Sequence, residues 1–133
     1  MPQFTKVTPN LVVDDVERSM RFYEQVLGFA RAFHVPDQPP FVFVCVASGA
    51  VQIFLNDRRE VAKALPEHAE RIGATMGNQL FIEMESGIEA WWERVKDRAP
   101  VIMPLVTQWY GMKEFAVADP DGYVTVFAER VQQ

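Results

Sequence analysis

The two halves of this 133-residue chain present the same order of structural signals, and this duplication constrains the fold most strongly. Each half opens with an extended apolar run, continues with a helical pattern and closes with further strand-like stretches. The helical patterns share a local motif, because Phe22–Val26 and Trp91–Val95 both read aromatic, aromatic, Glu, polar, Val. We therefore predict an α+β fold of two βαβββ modules, which form a cupped, mixed and mostly antiparallel sheet with helices outside.

The first module is predicted over about residues 4–57 and contains a helix with clear boundary signals. Asp14 and Asp15 are candidate N-caps, and Glu17 stands three residues after Asp14, at the capping-box spacing. Gly28 is the expected left-handed residue at the C-terminal end. Apolar side chains recur along one face of this helix at Val16, Met20, Tyr23 and Leu27.

The second module is predicted over about residues 78–130, and both modules belong to a single domain, residues 1–133. A connector of about residues 58–77 joins them and is rich in charged side chains. It carries a short helical stripe that Pro66 should interrupt. We interpret the connector as a solvated linker with a short helix, and a flap over a ligand site is the alternative.

Composition excludes several classes of function. The net charge of −5 argues against nucleic-acid binding, which needs a basic face. Apolar runs are too short to span a membrane, and the N-terminus lacks a signal-peptide pattern, so a cytoplasmic protein is expected. The single cysteine, Cys45, permits no internal disulfide and reads as a buried apolar residue. His34 and His68 stand in no metal-binding pattern and are expected at the surface.

The segment Trp109–Glu129 predicts a strand, a tight turn and a second strand. Pro120 presets the backbone for the turn, and Gly122 accepts a positive φ. The flanking residues, Phe115–Ala118 and Val124–Ala128, are apolar or β-branched, as strands require.

This hairpin carries a family resemblance. An aromatic-Gly-Met-basic-Glu-Phe segment at Tyr110–Phe115 that continues into Asp119–Gly122 resembles the last hairpin of the glyoxalase, bleomycin-resistance and extradiol-dioxygenase superfamily, the vicinal oxygen chelate fold. The first module resembles that family as well. Its matching residues are Asp15, Ser19, Phe22, Tyr23, Leu27, Gly28 and Phe29.

The resemblance also indicates where metal-dependent members of the family hold their metal. The corresponding positions here are Thr8, Gln52 or Ile53, Gln79 or Asn78 according to a one-residue choice of register, and Val126. None of these side chains is an imidazole or a carboxylate, the groups that a divalent cation needs. We therefore expect no metal, no cofactor and no catalytic residue, and the chain leans away from being an enzyme.

The resemblance is nearest to bleomycin-resistance-type members, which lack metal ligands and bind a drug as homodimers. It implies metal-independent binding of a small cationic or aromatic molecule in a cavity of the sheet. Apolar walls with a few placed polar groups suit such a site, and aromatic faces beside a carboxylate suit flat or cationic ligands. The candidate ligand-binding residues are Asn10, Phe54, Gln79, Trp109, Tyr110, Glu114 and Val126.

Other interpretations remain open from the sequence. A lyase or isomerase of the same superfamily, acting on a small metabolite through a degenerate or relocated site, is the main alternative function. A purely structural or partner-binding dimer is a third. Trp109 could also be a core residue, and Glu114 a solvated edge residue. A ferredoxin-like dimeric barrel is the alternative fold, but it needs fewer strands in each half.

Overall fold

The chain forms two compact units, residues 1–74 and 75–133, in a computed structural model that describes residues 3–73 and 78–132. Each unit contains a four-stranded mixed sheet and a helix that follows its first strand. The predicted order of strand, helix and three strands is therefore confirmed in both halves, and the fold is α+β with eight strands in two modules.

The first unit has the sheet order β1-β4-β3-β2, with β1 parallel to β4 and the other pairs antiparallel. The apolar run Val7–Val13 predicts the first strand, and the observed β1 begins three residues later, at Asn10. The elements are β1 (Asn10–Val13), α1 (Val16–Gln25), β2 (Ala30–Val35), β3 (Phe43–Ser48), β4 (Val51–Asp57), α2 (Arg58–Ala64) and α3 (Pro66–Gly73).

The second unit repeats this topology, with the sheet order β5-β8-β7-β6 and β5 parallel to β8. The sequence pattern predicts its helix over Ile88–Arg98, and the observed helix ends three residues earlier, at Val95. The elements are β5 (Leu80–Met84), α4 (Ile88–Val95), β6 (Val101–Thr107), β7 (Met112–Ala118) and β8 (Val124–Arg130).

Helix α1 begins at a side-chain cap, and a glycine in the left-handed conformation follows its C-terminal end. The carboxylate of Asp15 accepts a hydrogen bond from the amide of Arg18 at 3.0 Å, which identifies Asp15 rather than Asp14 as the N-cap. The predicted capping box was wrong, because Glu17 instead accepts a hydrogen bond from the amide of Phe41 at 2.8 Å. Gly28 has φ of 76°, the left-handed conformation that the sequence predicted.

The connector forms the two short helices α2 and α3. Leu65 ends the first and Pro66 begins the second, so the predicted interruption at Pro66 is confirmed. Asp57 caps α2 through hydrogen bonds from the amides of Arg59 and Glu60. Both helices keep their side chains at least partly exposed, as a solvated connector does. Among the described residues, the helices are all too short or too polar to cross a membrane.

Each sheet has a helix face, which its own helix covers, and a far face on the other side. In the first unit, α1 packs on β3 and β4. The helix face holds four apolar side chains with exposures of 0–1%: Val44, Val46, Ile53 and Leu55. Alternation along the strands places Phe43, Cys45, Gln52 and Phe54 on the far face.

Aromatic rings form the core between α4 and the second sheet. Phe115 and Phe127 are directly paired across β7 and β8, and their ring centroids are 5.3 Å apart. Trp92 contacts Phe115 at 5.2 Å, and Trp91 contacts Phe127 at 5.8 Å. Both tryptophans of α4 therefore pack on the helix face, where they fix the helix against the sheet.

Thr125 carries an unsatisfied hydroxyl in this core. It is 1% exposed, and within the described residues its Oγ1 atom has no hydrogen-bond partner. Replacing Thr125 by Val keeps the shape and removes the polar atom, so we expect the free energy of unfolding to rise by about 1 kcal/mol. Urea denaturation followed by tryptophan fluorescence measures this change.

Thr107→Val is the matched control, because Thr107 lies exposed on β6 and the same substitution should change stability by less than about 0.5 kcal/mol. A Thr125→Val variant that is less stable than the parent protein would contradict the prediction, since it would show that the hydroxyl is satisfied.

Candidate functional site

The far face of the second sheet holds a buried carboxylate. Strand β7 places Glu114 opposite Ala128 of β8, and Ala116 opposite Val126. These side chains share one face because residues two apart along a strand point the same way. Glu114 is only 3% exposed, so the alternative of a solvated edge residue is wrong.

A tight turn between β6 and β7 brings a tyrosine to this carboxylate. The turn runs over Gln108–Gly111, closed by a 3.1 Å hydrogen bond from the amide of Gly111 to the carbonyl of Gln108. The hydroxyl of Tyr110 lies 2.7 Å from Oε1 and 2.8 Å from Oε2 of Glu114. It therefore donates its hydrogen to both oxygen atoms of the carboxylate.

Trp109 stands beside Tyr110 at the tip of the same turn. Its side chain is 93% exposed, so the alternative of core packing is wrong. The two rings meet edge to face, with centroids 5.3 Å apart. Because Trp109 stays almost fully exposed to water, its burial contributes little to the free energy of unfolding. An exposed aromatic side chain of this size is typical of a surface that contacts another molecule.

The hydrogen bond to Glu114 also acts on the tyrosine. Together with desolvation and the nearby negative charge, it raises the pKa of Tyr110, because it stabilises the protonated hydroxyl. In Glu114→Gln, the carboxylate charge is lost, and we expect one of the three tyrosines to ionise at lower pH than in the parent protein. Ultraviolet absorbance titration at alkaline pH measures this shift.

Glu89→Gln is the control for that titration, because Glu89 is an exposed carboxylate that pairs with Lys113 on the helix face. It should leave the tyrosine titration unchanged. Identical curves for Glu114→Gln and the parent protein would show that the carboxylate does not hold the tyrosine hydroxyl in solution.

The first unit carries an aromatic cluster on its own far face. The rings of Phe33 and Phe43 stack with centroids 5.5 Å apart, and Phe54 lies 5.1 Å from Phe43. Phe33 remains 50% exposed. Asn10 pairs with Phe54 in the parallel ladder, and its side-chain oxygen accepts a hydrogen bond from Asn56.

Cys45 lies beneath these rings, since its register partners are Phe33 on β2 and Phe54 on β4. It is fully buried, as the sequence predicted. Burial raises the pKa of the Cys45 thiol, which keeps it protonated and poorly nucleophilic.

The predicted site residues thus fall into two groups, one in each unit. The second-unit group is centred on the Tyr110–Glu114 pair, with Val126 on the same face. Gln79 belongs to this unit but is exposed and precedes β5. Continuing the alternation of β5 back from Phe81, the partner of Val126, favours Gln79 over Asn78 for this face. The first-unit group consists of Asn10 and Phe54.

The two histidines lie outside both groups. His34 is half-buried at the end of β2, where its ring contacts Phe41 at 4.3 Å and its Nδ1 atom lies 2.9 Å from the carbonyl oxygen of Pro36. His68 is exposed on α3. Neither position has the neighbours of a metal ligand within the part of the chain that the structure describes.

The model of the Glyoxalase/Bleomycin resistance protein/Dioxygenase superfamily matches residues 4–127. The chain therefore belongs to this superfamily, and its vicinal oxygen chelate fold agrees with the two sheets described above. No sequence among the curated proteins matches the chain.

Solved structures share the fold at low sequence identity. TioX from Micromonospora sp. ML1 is 15% identical, with a TM-score of 0.75 over 96% of this chain and 100% of that one. A glyoxalase/bleomycin resistance protein/dioxygenase from Nocardioides is 17% identical, with a TM-score of 0.74 over 99% of this chain and 87% of that one. A lactoylglutathione lyase from Agrobacterium tumefaciens is 18% identical, with a TM-score of 0.70 over 96% and 95%.

The residues at the family's metal positions do not fit a divalent cation. Val126 is an apolar side chain with 5% exposure, directly paired with Ala116 and Phe81. Gln52 lies on the far face, whereas Ile53 is buried at the helix face, so Gln52 is the residue in register on β4. Across the described ranges, no group of three or more His, Cys, Asp or Glu side chains is placed to hold a metal. Amide and hydroxyl oxygen atoms alone bind such ions weakly.

Proposed function

We propose that this protein binds a small cationic or aromatic molecule without a metal, in the manner of the bleomycin-resistance-type members of its superfamily. One observation carries the proposal. Val126 fills a family metal position with a buried apolar side chain, whereas an aromatic pair and a carboxylate occupy the adjoining end of the same hairpin. This hairpin therefore lacks a metal ligand at Val126 but carries aromatic and carboxylate groups that can bind a small molecule.

The surrounding side chains support this proposal. Ala116, Val126 and Ala128 are small, buried apolar side chains on the same face, and Glu114 is the buried charged group among them. Small-molecule sites typically combine an apolar lining with a few polar groups that fix orientation.

Native mass spectrometry on protein purified without added metal tests the proposal, with bleomycin as the first ligand because it carries both cationic and flat aromatic groups. We expect metal-free protein that gains one drug molecule per subunit. Protein that carries a stoichiometric divalent metal, or that turns over a small metabolite despite chelation, would overturn the proposal and support an enzyme of the same superfamily.

Mutation of the turn locates the binding surface. Trp109→Ala should weaken bleomycin binding by at least about tenfold, the effect expected for an exposed aromatic contact residue. Phe4→Ala is the matched control, because Phe4 is 91% exposed and lies outside both candidate groups. Isothermal titration calorimetry compares the two variants, and an equal affinity in both would remove Trp109 from the site.

We also propose that the protein is a homodimer. Strand β6 is an edge of the second sheet and exposes three large apolar side chains, those of Val101, Ile102 and Val106. Exposed apolar edge strands are usually covered in native proteins. Analytical ultracentrifugation should give twice the 15.2 kDa chain mass, and Ile102→Lys should shift the protein towards the monomer. A monomer at all concentrations would contradict the proposal.

A further inference from the structure

We propose that Glu114 selects a ligand with a protonated amine or amidine group, and that Tyr110 holds the carboxylate ready for it. This inference rests on the proposed function and narrows the ligand class. The first observation is that Glu114 carries a buried charge without a basic partner in the part of the chain that the structure describes. Glu114 is 3% exposed, yet the described residues place no basic side chain in an ion pair with it. A carboxylate that is removed from water without a counter-ion is unfavourable unless something else compensates it.

The tyrosine compensates this charge only in part. A carboxylate offers about four acceptor sites, and Tyr110 supplies a single hydrogen that both oxygen atoms share. The remaining acceptor positions of this carboxylate have no hydrogen-bond partner among the described residues. An ammonium or amidinium group brings two or more donors together with a positive charge, and both match what the carboxylate lacks.

Two basic side chains lie near Glu114: Lys113, its neighbour in the chain, and Arg130, which alternation along β8 places on the same face as Ala128. Lys113 precedes Glu114 but lies on the helix face, where it pairs with Glu89. Arg130 lies two residues beyond Ala128, the register partner of Glu114. Arg130 is exposed and lines a surface groove of about 280 Å³ with Lys113 and Thr107. Neither basic residue forms an ion pair with Glu114 in the described part of the chain.

The register of the sheet adds a second carboxylate. Glu83 on β5 and Glu114 on β7 both pair with Ala128, so one strand separates them on the same face. Adjacent strands lie about 4.8 Å apart, which puts the two backbones about 10 Å apart. Glu83 is exposed. Ala128, with its small methyl side chain, is the residue of β8 between them, so the register brings a second carboxylate to the face of Glu114.

The aromatic rings of the turn complete the recognition surface. The ring of Tyr110 adjoins the carboxylate, and the exposed ring of Trp109 stands beside Tyr110. Aromatic faces attract organic cations and also stack on flat apolar groups. The ligand class that fits all these groups is an organic cation attached to an aromatic or apolar body, rather than an anion or a metal ion.

Benzamidine and benzamide test this inference, because they have the same shape and differ in charge at neutral pH. We expect benzamidine to bind the parent protein at least tenfold more tightly than benzamide, as measured by chemical-shift titration in nuclear magnetic resonance spectra. In Glu114→Gln this preference should disappear, whereas Glu89→Gln should retain it. Glu83→Gln should reduce the preference without abolishing it.

The variants also give a readout that a merely structural role of Glu114 would not produce. A structural role would weaken both probes together, whereas recognition of charge weakens benzamidine alone. Equal affinities of the parent protein for the two probes, no binding of benzamidine, or a preference that survives in Glu114→Gln would overturn the inference. Tyr110→Phe should leave the charge preference in place, since the carboxylate remains, but should weaken benzamidine binding several-fold.

The outcomes separate this inference from the proposed function. Bleomycin binding that is the same in the parent protein and in Glu114→Gln would retain the small-molecule function and overturn the role of Glu114. A charge preference for benzamidine without bleomycin binding would retain the role of Glu114 and overturn bleomycin as the ligand.

Discussion

Phe115→Ala should lower the free energy of unfolding by about 3–5 kcal/mol, the range found when a buried aromatic side chain is truncated. Phe115 is completely buried, and its ring lies 5.3 Å from Phe127 and 5.2 Å from Trp92. Truncation leaves a cavity between the sheet and α4 and removes both ring contacts. Because small domains are stable by about 5–15 kcal/mol in total, this loss is a large fraction of what holds the second unit together.

Fluorescence makes the measurement specific to one unit. All three tryptophans of the chain, Trp91, Trp92 and Trp109, lie in the second unit. Tryptophan fluorescence during urea denaturation therefore reports on the second unit, whereas far-ultraviolet circular dichroism reports on both. We expect Phe115→Ala to move the fluorescence transition to lower urea concentration. A circular dichroism transition that separates from it would show that the two units unfold independently.

Phe4→Ala is the matched control for this experiment, because it makes the same chemical change at a side chain that is 91% exposed. It should alter stability by less than about 0.5 kcal/mol. A Phe115→Ala variant as stable as this control would contradict the packing of α4 on the sheet through Phe115.

Local patterns in the sequence were sufficient to predict the order of the elements and the face that carries the candidate site. Glu114 and Val126 lie on two strands joined by a turn of known type, so alternation along these strands could predict their common face. The duplication of the strand-helix unit strengthened that prediction, because the same topology accounts for both halves.

Contacts between distant segments could not be predicted. Glu17 looked like part of a capping box, but its carboxylate binds the amide of Phe41, 24 residues away. The sequence could not place Phe33 in the aromatic cluster, because a bulge between Arg31 and Phe33 shifts the alternation of β2. Each of these outcomes depends on how the strands align, which no local pattern encodes.

The Tyr110–Glu114 pair could be predicted only in part. Both residues were candidates from the sequence, and four positions separate them. Their hydrogen bond depends on the turn at Gln108–Gly111, where Gly111 adopts φ of 87° and reverses the chain. The sequence therefore indicates both side chains as candidates, but their hydrogen bond follows from the backbone conformation of the turn.

Asp119→Ala should lower the free energy of unfolding by about 2–3 kcal/mol, because it leaves two amide donors of the β7–β8 turn without their acceptor. Asp119 is 5% exposed, and its Oδ1 atom accepts hydrogen bonds from the amides of Asp121 at 2.8 Å and Tyr123 at 2.9 Å. The carbonyl of Asp119 also accepts a hydrogen bond from Gly122 at 3.0 Å, so side chain and backbone hold the same turn.

Asp119→Asn separates charge from geometry, since the amide oxygen can still accept from both donors, and neutral acceptors form weaker bonds than carboxylates. We expect it to lose about 1 kcal/mol, roughly half the effect of Asp119→Ala. Hydrogen exchange at the amides of Asp121 and Tyr123 should accelerate in the order Asp, Asn, Ala, whereas amides of the first unit remain unchanged. Equal protection in all three proteins would show that backbone hydrogen bonds alone maintain the turn. The graded order would instead show that Asp119, the first residue of the Asp-Pro-Asp-Gly turn, aligns β7 with β8. This alignment places Glu114 opposite Ala128.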